Sequence, residues 1–440
     1  MKRLNLIFRV HHPFQFRRYR FFDIGREHYY FDDFANQTGT EKLAQRAYLP
    51  LNGMLLRNLQ QGQGKLKAAF YLSGSALELF GQYTPQVISS FSELQQTGHV
   101  EFLGGTWAHS LASAYSKPAF REEVIRHRHL LQKHFYTHPT TFFNGELLYS
   151  DDIGTAIHAF GFETTIAEGS RHLLGWRSPD MLYANAREPM LKLLMLDPER
   201  NSKLLLSNSW NPLSDLTPEA FVEELEQSTV GDQSVTLLFD YAMFAGEASV
   251  KNGWFEFLNR LLALVMKSDK LVCSTPAETT RQIPPVSLVG VPHPAMWSGG
   301  DPQQSLFPGN ELQTEALQKL YAMAPIMRGI ESDSIQLEWS ALQSSDHFRY
   351  MSTRWFEHTP AAQINPWSTA HEAFINFMNI VSDFSQRIGP KGKNRPTNEA
   401  VKLERKVKRQ QIQLEKYKLA LNKLNKQKDN PAIGNYKSGD

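Results

Sequence analysis

The chain has 440 residues, 41% hydrophobic and 12% aromatic, with one cysteine, Cys273, and a net charge of +2. That is enough chain for one large domain with an appendage, or for two to three domains. A lone cysteine excludes an internal disulfide framework and suits a reducing compartment, and no run approaches the 18 apolar residues of a membrane span. The N-terminus, MKRLNLIFRVHHPF, is a poor signal peptide, so a cytoplasmic protein is expected.

The charge is unevenly spread. Residues 391–430 carry 13 Lys or Arg against 4 Asp or Glu, which leaves residues 1–390 at −7. An acidic body argues against nucleic-acid binding, and the basic tail stands as a separate question.

Short apolar runs recur along the chain at 4–13, 67–74, 99–107, 140–146, 164–170, 203–210 and 235–244. Runs of four to six apolar residues bounded by turn signals suit strands buried on both faces. Helix-like segments lie between several of them, at 75–98, 117–135, 150–162 and 217–228. The last opens with Thr217 as cap and Pro218 at the first helical position. Seven strands in βαβα alternation predict an α/β fold, a (β/α)7 incomplete TIM-like barrel, over residues 1–290. A doubly wound sheet is the weaker alternative, because the first strand runs into HHPF rather than a Gly-rich phosphate loop. The run LKLLML at 191–196 falls outside the seven and reads as a hairpin insertion.

Beyond residue 290 helical spacing dominates, at 309–327, 334–353 and 371–388, which predicts a small helical domain over 291–388 that completes a cleft. Residues 389–398 read as a linker. Ala400, Leu403, Val407, Gln410, Leu414, Tyr417, Leu421 and Leu424 alternate in spacings of three and four. That pattern predicts a basic coiled-coil helix over 399–428, open to self-association or a partner helix, followed by a disordered tail at 429–440.

In barrels of β/α units the working residues lie at the C-terminal strand ends. That rule selects His11 and His12, Trp107 and His109, Asn144 and Glu146, Trp210, and Asp240 and Tyr241. Two carboxylates flanked by aromatics meet the needs of glycoside hydrolysis: one attacks the anomeric carbon or activates water, the other protonates the leaving oxygen. The competing reading makes both acids helix caps or partners of arginine. The clusters HHP and RHRH (126–129) are the candidates for a metal, but His127 and His129 sit two apart on a helix and face different ways, so no metal is expected, nor is any other cofactor. There is no GxSxG and no P-loop.

At these residues the sequence resembles glycoside hydrolase family 57, in its α-amylase-like branch. The stretches that carry the resemblance are VHHPFQFRRYRFFDIG (10–25), VEFLGGTWAHSLASAYS (100–116), TFFNGELLYSDDI (141–153), TLLFDYAMFAGE (236–247), MWSGGDPQQSLFPGNELQ (296–313) and LQSSDHFRYMST (342–353). The resemblance implies a retaining mechanism on α-1,4-glucans or maltooligosaccharides, with Glu146 as nucleophile and Asp240 as acid/base. His11, Trp107, His109, Trp297, Asp346 and His347 would line the subsites, together with the strand-end Trp210. The chain departs from the family pattern at Phe143, where Arg is usual, at Gly145, where Thr is usual, and at Ala242 and Met243, where Glu-Thr is usual. Phe143 implies the loss of a cation that would favour ionised Glu146. Two alternatives stay open: a 4-α-glucanotransferase, and a glucan-binding protein of little activity whose tail serves assembly.

Overall fold

The computed structural model describes residues 1–206, 216–227, 234–245, 253–298, 309–353 and 365–389. The segment before the coiled-coil helix apart from Gly389, the helix itself and the tail at 429–440 lie outside the described residues, as does Trp210.

Eleven strands are described. They are β1 (Lys2–Val10), β2 (Ala68–Leu72), β3 (Val100–Phe102), β4 (Gly104–Gly105), β5 (Thr141–Phe143), β6 (Thr164–Glu168), β7 (Leu182–Asn185), β8 (Lys192–Leu196), β9 (Ser234–Asp240), β10 (Leu271–Cys273) and β11 (Ser287–Val289). All pairings are parallel except β7 with β8. β1 pairs with β2, β9 and β10, β2 with β3, and β4, β5, β6 and β8 follow in order. Only Leu103 separates β3 from β4, and its N–H donates to the Phe70 carbonyl, so one strand passes from the first sheet into the second.

The succession β1, β2, β3/β4, β5, β6, β8, β9 returns to β1 through the β1–β9 ladder. Side-chain partition follows it. Ile7, Ala69, Tyr71, Leu103, Phe143, Ile166, Leu194 and Leu238 form an inner cluster to which each of these seven members contributes. Leu6, Phe8, Phe70, Phe142 and Phe239 belong instead to a larger outer cluster shared with the helices. Alternation along a strand explains the division, since neighbouring side chains face opposite ways. It also puts Arg9, Glu168 and Asp240, each two residues beyond an inner-cluster residue, on the inward column at the strand ends.

The sequence reading chose six of these seven members correctly and missed one. Residues 203–206 were expected in a strand, but they close the helix Pro198–Leu206. Asp197 starts that helix by accepting the Arg200 N–H (3.1 Å), and Pro198 suits the first turn. The seventh member is β8, the run that had been set aside as a hairpin insertion. It does pair antiparallel with β7, yet its other edge continues the sheet on β6.

The expected helices are present in several pieces. The 75–98 segment divides into Gly74–Tyr83 and Pro85–Gln96 at Pro85, while Lys117–Phe135 is continuous. Helices Asp33–Leu43, Leu49–Gln61 and Trp254–Val265 were not anticipated. The helices after residue 309 share one continuous hydrophobic cluster with the sheet-flanking residues, through Leu317, Trp339 and Phe377. No described helix is long and apolar enough to cross a membrane.

Asn201 ties the helix Pro198–Leu206 to β9. Its side-chain amide donates to the Thr236 carbonyl (3.1 Å) and to Asp197 (2.9 Å), and its oxygen accepts the Leu238 N–H (2.8 Å). Asn201→Ala removes the side-chain bonds to the buried Thr236 carbonyl and Leu238 N–H, and is expected to cost roughly 2–3 kcal/mol. Urea unfolding checks this through a lower midpoint at unchanged slope; an unchanged midpoint contradicts it.

Candidate active site

Glu146 follows β5 in a short turn, Gly145–Leu147, and is buried. Its backbone is left-handed (φ 51°, ψ 23°), and Leu147 follows at φ 55°. Each such non-glycine residue costs about 1–2 kcal/mol, so the surroundings must impose the conformation. The Glu146 N–H donates to His109 Nε2 (3.3 Å), and its carbonyl accepts the Trp297 N–H (2.9 Å). Gly145 is required here, because a Cβ would lie 2.4 Å from the Ser110 carbonyl oxygen and 2.8 Å from that of His109. The Thr usual in the family would force that backbone apart.

The carboxylate of Glu146 is held from the C-terminal helices. Arg349 pairs with Oε2, and the Ser345 hydroxyl donates to Oε1 (2.9 Å). Burial alone would raise the Glu146 pKa, but Arg349, with Arg9 behind it, outweighs burial and holds the group at about 2. Phe143, in the position that suggested a missing cation, faces the inner cluster and stacks on Tyr71 with ring centroids 5.0 Å apart. That expectation is corrected: the cation beside Glu146 is present, and Arg349 supplies it.

Asp240 ends β9 opposite Arg9 of β1, and the two side chains pair, with Arg9 Nε 2.9 Å from Oδ2. Its other oxygen accepts the Ala242 N–H (2.9 Å). Arg9 is half-buried; desolvation works against its charge, but Asp240, Glu146 and Asp346 together raise its pKa. One guanidinium therefore sits in the field of all three carboxylates.

His11 and Asp346 form a second pair. His11 Nε2 lies 2.6 Å from Asp346 Oδ2 and Nδ1 lies 2.8 Å from the Ser73 hydroxyl, while the Ser344 hydroxyl donates to Asp346 (2.9 Å). Burial pushes the Asp346 carboxyl up, but His11 and Arg349 outweigh it and hold it well below the usual range. The His11 and His109 rings lie 4.7 Å apart. Burial, reinforced by His11, holds His109 well below its ordinary pKa, so it is neutral and its Nε2 is free to accept from Glu146.

The other expected subsite residues divide. Trp297 is half-buried against the inner cluster beside Glu146. Trp107 is fully buried, stacked near Phe14 and covered by Arg126 at 4.4 Å, and is packed so closely that a Cβ on Gly74 would meet its ring. It is a core residue with no face open to a ligand. His347 points away from Asp346: its Nε2 bonds to the Ala341 carbonyl (3.0 Å) and its ring stacks on Phe16. His127 is likewise structural, joining the Leu72 carbonyl to the Gly105 N–H. Among the described residues no group of three or more His, Cys, Asp or Glu is placed to hold a metal ion.

Arg9, Arg349 and Ser345 were not singled out from sequence. Ser345 and Arg349 are four apart on one helix and face the same carboxylate, a spacing legible in SSDHFR. Arg9 could have been found from the alternation Ile7, Arg9 in the first strand.

The profile of Glycosyl hydrolase family 57 matches residues 5–292. A Methanocaldococcus jannaschii protein that carries a provisional α-amylase name is 26% identical over 378 residues, 82% of this chain and 79% of its own length. A branching enzyme from Thermococcus kodakaraensis superposes with TM-score 0.68 at 12% identity, covering 93% of this chain and 94% of its own. The α-amylase AmyC from Thermotoga maritima gives 0.61 at 11%, covering 90% and 94%. The 4-α-glucanotransferase from Thermococcus litoralis gives 0.65 at 13%, covering 89% of this chain, which spans 60% of the length of that enzyme. At such identities these structures speak for the fold alone.

Replacing Arg349 with Met removes the cation that opposes burial, so the Glu146 pKa must rise from about 2. The acid limb of kcat/KM against pH is expected to move upward by more than about one unit. Because the folded-state pKa is depressed below its ordinary value, the stabilisation it gives is present above about pH 4.5 and fades as pH falls toward about 2. Arg349→Met should lose that acid-range stability dependence; an unmoved limb contradicts the pairing. By the match over residues 5–292, the chain belongs to glycosyl hydrolase family 57, a family of glycoside hydrolases and transglycosylases.

Proposed function

We propose that this protein is a retaining glycoside hydrolase of α-1,4-glucans, with Glu146 as nucleophile and Asp240 as acid/base. The observation that carries this reading is the state of Glu146: a buried carboxylate at a strand end, kept ionised by Arg349, with Arg9, the partner of Asp240, in the field of both acids. A nucleophile must be charged and lightly solvated, and Glu146 is both. The strand succession fits an incomplete (β/α)7 barrel over residues 1–290, with the helices of 291–388 completing the cleft. That division explains why the cation on Glu146 comes from Arg349.

In this mechanism Glu146 attacks the anomeric carbon as Asp240 delivers its proton to the leaving glycosidic oxygen, giving a covalent glycosyl-enzyme and a shortened glucan. Asp240, now charged, takes a proton from the incoming water, whose oxygen displaces Glu146 and restores the anomeric configuration. Arg9 and the Ala242 N–H donate to separate oxygens of Asp240 and fix its orientation. In this reading His11, Trp297 and Asp346 contact the sugar beside Glu146.

A sugar hydroxyl that reaches the intermediate before water makes the same site a 4-α-glucanotransferase, and the products separate the two outcomes. The tail helix over 399–428 keeps an assembly role as a proposal independent of this chemistry.

Product analysis on maltooligosaccharides is the test. The parent should release α-anomers at early times, and Glu146→Gln should lose at least about a thousandfold in kcat. Shorter products alone mark hydrolysis, and a ladder of longer ones marks transfer. Equal turnover by both proteins overturns the nucleophile assignment; β-anomers overturn the retaining mechanism; no turnover by the parent favours a glucan-binding role.

A further inference from the structure

Residues 291–298 run beside the turn that carries Glu146, and their hydrogen bonds account for its conformation. At one end Val291 and Asp151 bond reciprocally: the Asp151 N–H donates to the Val291 carbonyl (2.8 Å) and the Val291 N–H to Asp151 Oδ1 (2.9 Å). In the middle Tyr149 and Ala295 exchange both backbone bonds (2.7 and 2.9 Å). Two residues on, the Trp297 N–H meets the Glu146 carbonyl. At the far end the Ser298 hydroxyl lies 3.0 Å from each oxygen of Glu168, and its N–H lies 3.3 Å from Oε1.

Glu168 is buried at the end of β6, on the inward column two residues beyond Ile166. The mechanism above gives it no task. A buried carboxylate is expensive unless donors meet it, and here the backbone and side chain of Ser298 do so.

We infer that Glu168 is a positioning residue for the nucleophile: by fixing Ser298 it anchors residues 295–298, which hold Glu146 in its left-handed conformation. Only one peptide separates the anchored Ser298 from the Trp297 N–H on Glu146. Movement at 298 therefore reaches the nucleophile directly. Without glycine at 146, the left-handed turn persists only while its carbonyl, its N–H and its side chain are all held. His109, Trp297, and Ser345 with Arg349 supply those contacts, and Glu168 fixes the one of them that lies on an irregular segment.

Three variants test this: Glu168→Leu, which removes the acceptor, Glu168→Gln, whose amide oxygen still accepts from the Ser298 hydroxyl, and Ser298→Ala. Backbone amide exchange is read first, since it needs no substrate. Amides of residues 146–149 and 295–298 should exchange at least about tenfold faster in Glu168→Leu than in the parent, and near the parent rate in Glu168→Gln. The kinetic arm rests on the glucan reading. There Glu168→Leu should lower kcat about 10- to 100-fold with KM within about twofold, because small misplacements of a reacting group carry such penalties. Glu168→Gln should keep at least about a third of the parent kcat, with the pH limbs unmoved. Should Glu168→Leu not fold, Ser298→Ala carries the same comparison with a smaller loss, about three- to tenfold.

Parent-like exchange and kcat in a folded Glu168→Leu or in Ser298→Ala overturn the inference. So does a Glu168→Gln variant as impaired as Glu168→Leu with a shifted pH limb, which would make Glu168 a reacting carboxyl. A parent without turnover on glucans defeats the functional reading only, and the exchange rates still decide the role of Glu168.

Discussion

The ion pair between Glu146 and Arg349 is the contact on which the site depends. It joins a strand-end turn to a helix about two hundred residues later, and it settles the charge of the carboxylate against the pull of burial. Burial favours the neutral acid; a guanidinium in contact favours the anion, and here it prevails. Removing either partner strands a charge in a site built for two. The charge of Glu146 thus depends on the C-terminal helices being docked on the sheet.

The rest of the site follows from holding strained backbone in place. His109, Glu146 and Leu147 all adopt positive φ without being glycine. Each segment that carries or supports them is tied to a buried carboxylate: Glu123 accepts the Ala108 N–H beside His109, Asp151 binds Val291, and Glu168 binds Ser298. Burial raises the Glu123 pKa to about 7, although Ala108 and Arg126 oppose it. These acids serve geometry, and under the proposed mechanism the chemistry falls to Glu146 and Asp240. The division agrees with a site that needs two carboxylates in fixed relation and little motion between them.

Much of the fold was legible because strand-end chemistry and apolar runs coincide. The seven-strand count, the position of Glu146 after the fourth member and the His11–Asp346 neighbourhood could all be anticipated. The exchange of 203–206 for 192–196 had a physical cause: both runs are leucine-rich, and only the Asp197-Pro198 start separates helix from strand. Trp107 misled because an aromatic at a strand end looks like a ligand platform until packing against Gly74 and Arg126 is known. The cation on Glu146 was invisible locally, since it comes from Arg349, about two hundred residues further along the chain. Phe143 and Gly145 therefore read as compensated changes: one fills the inner cluster, the other admits the His109–Ser110 backbone.

The central claim is that Glu146 forms a covalent bond to the sugar. Incubation with a 5-fluoro-α-glucosyl fluoride, followed by digestion and mass spectrometry, tests it most directly, because the fluorine slows release of the intermediate more than its formation. One added 5-fluorohexosyl mass is expected on the peptide containing residues 141–153, located at Glu146, and none in Glu146→Gln. A label on Asp240 or Glu168 instead, or an unlabelled enzyme that still turns over glucans, would contradict it.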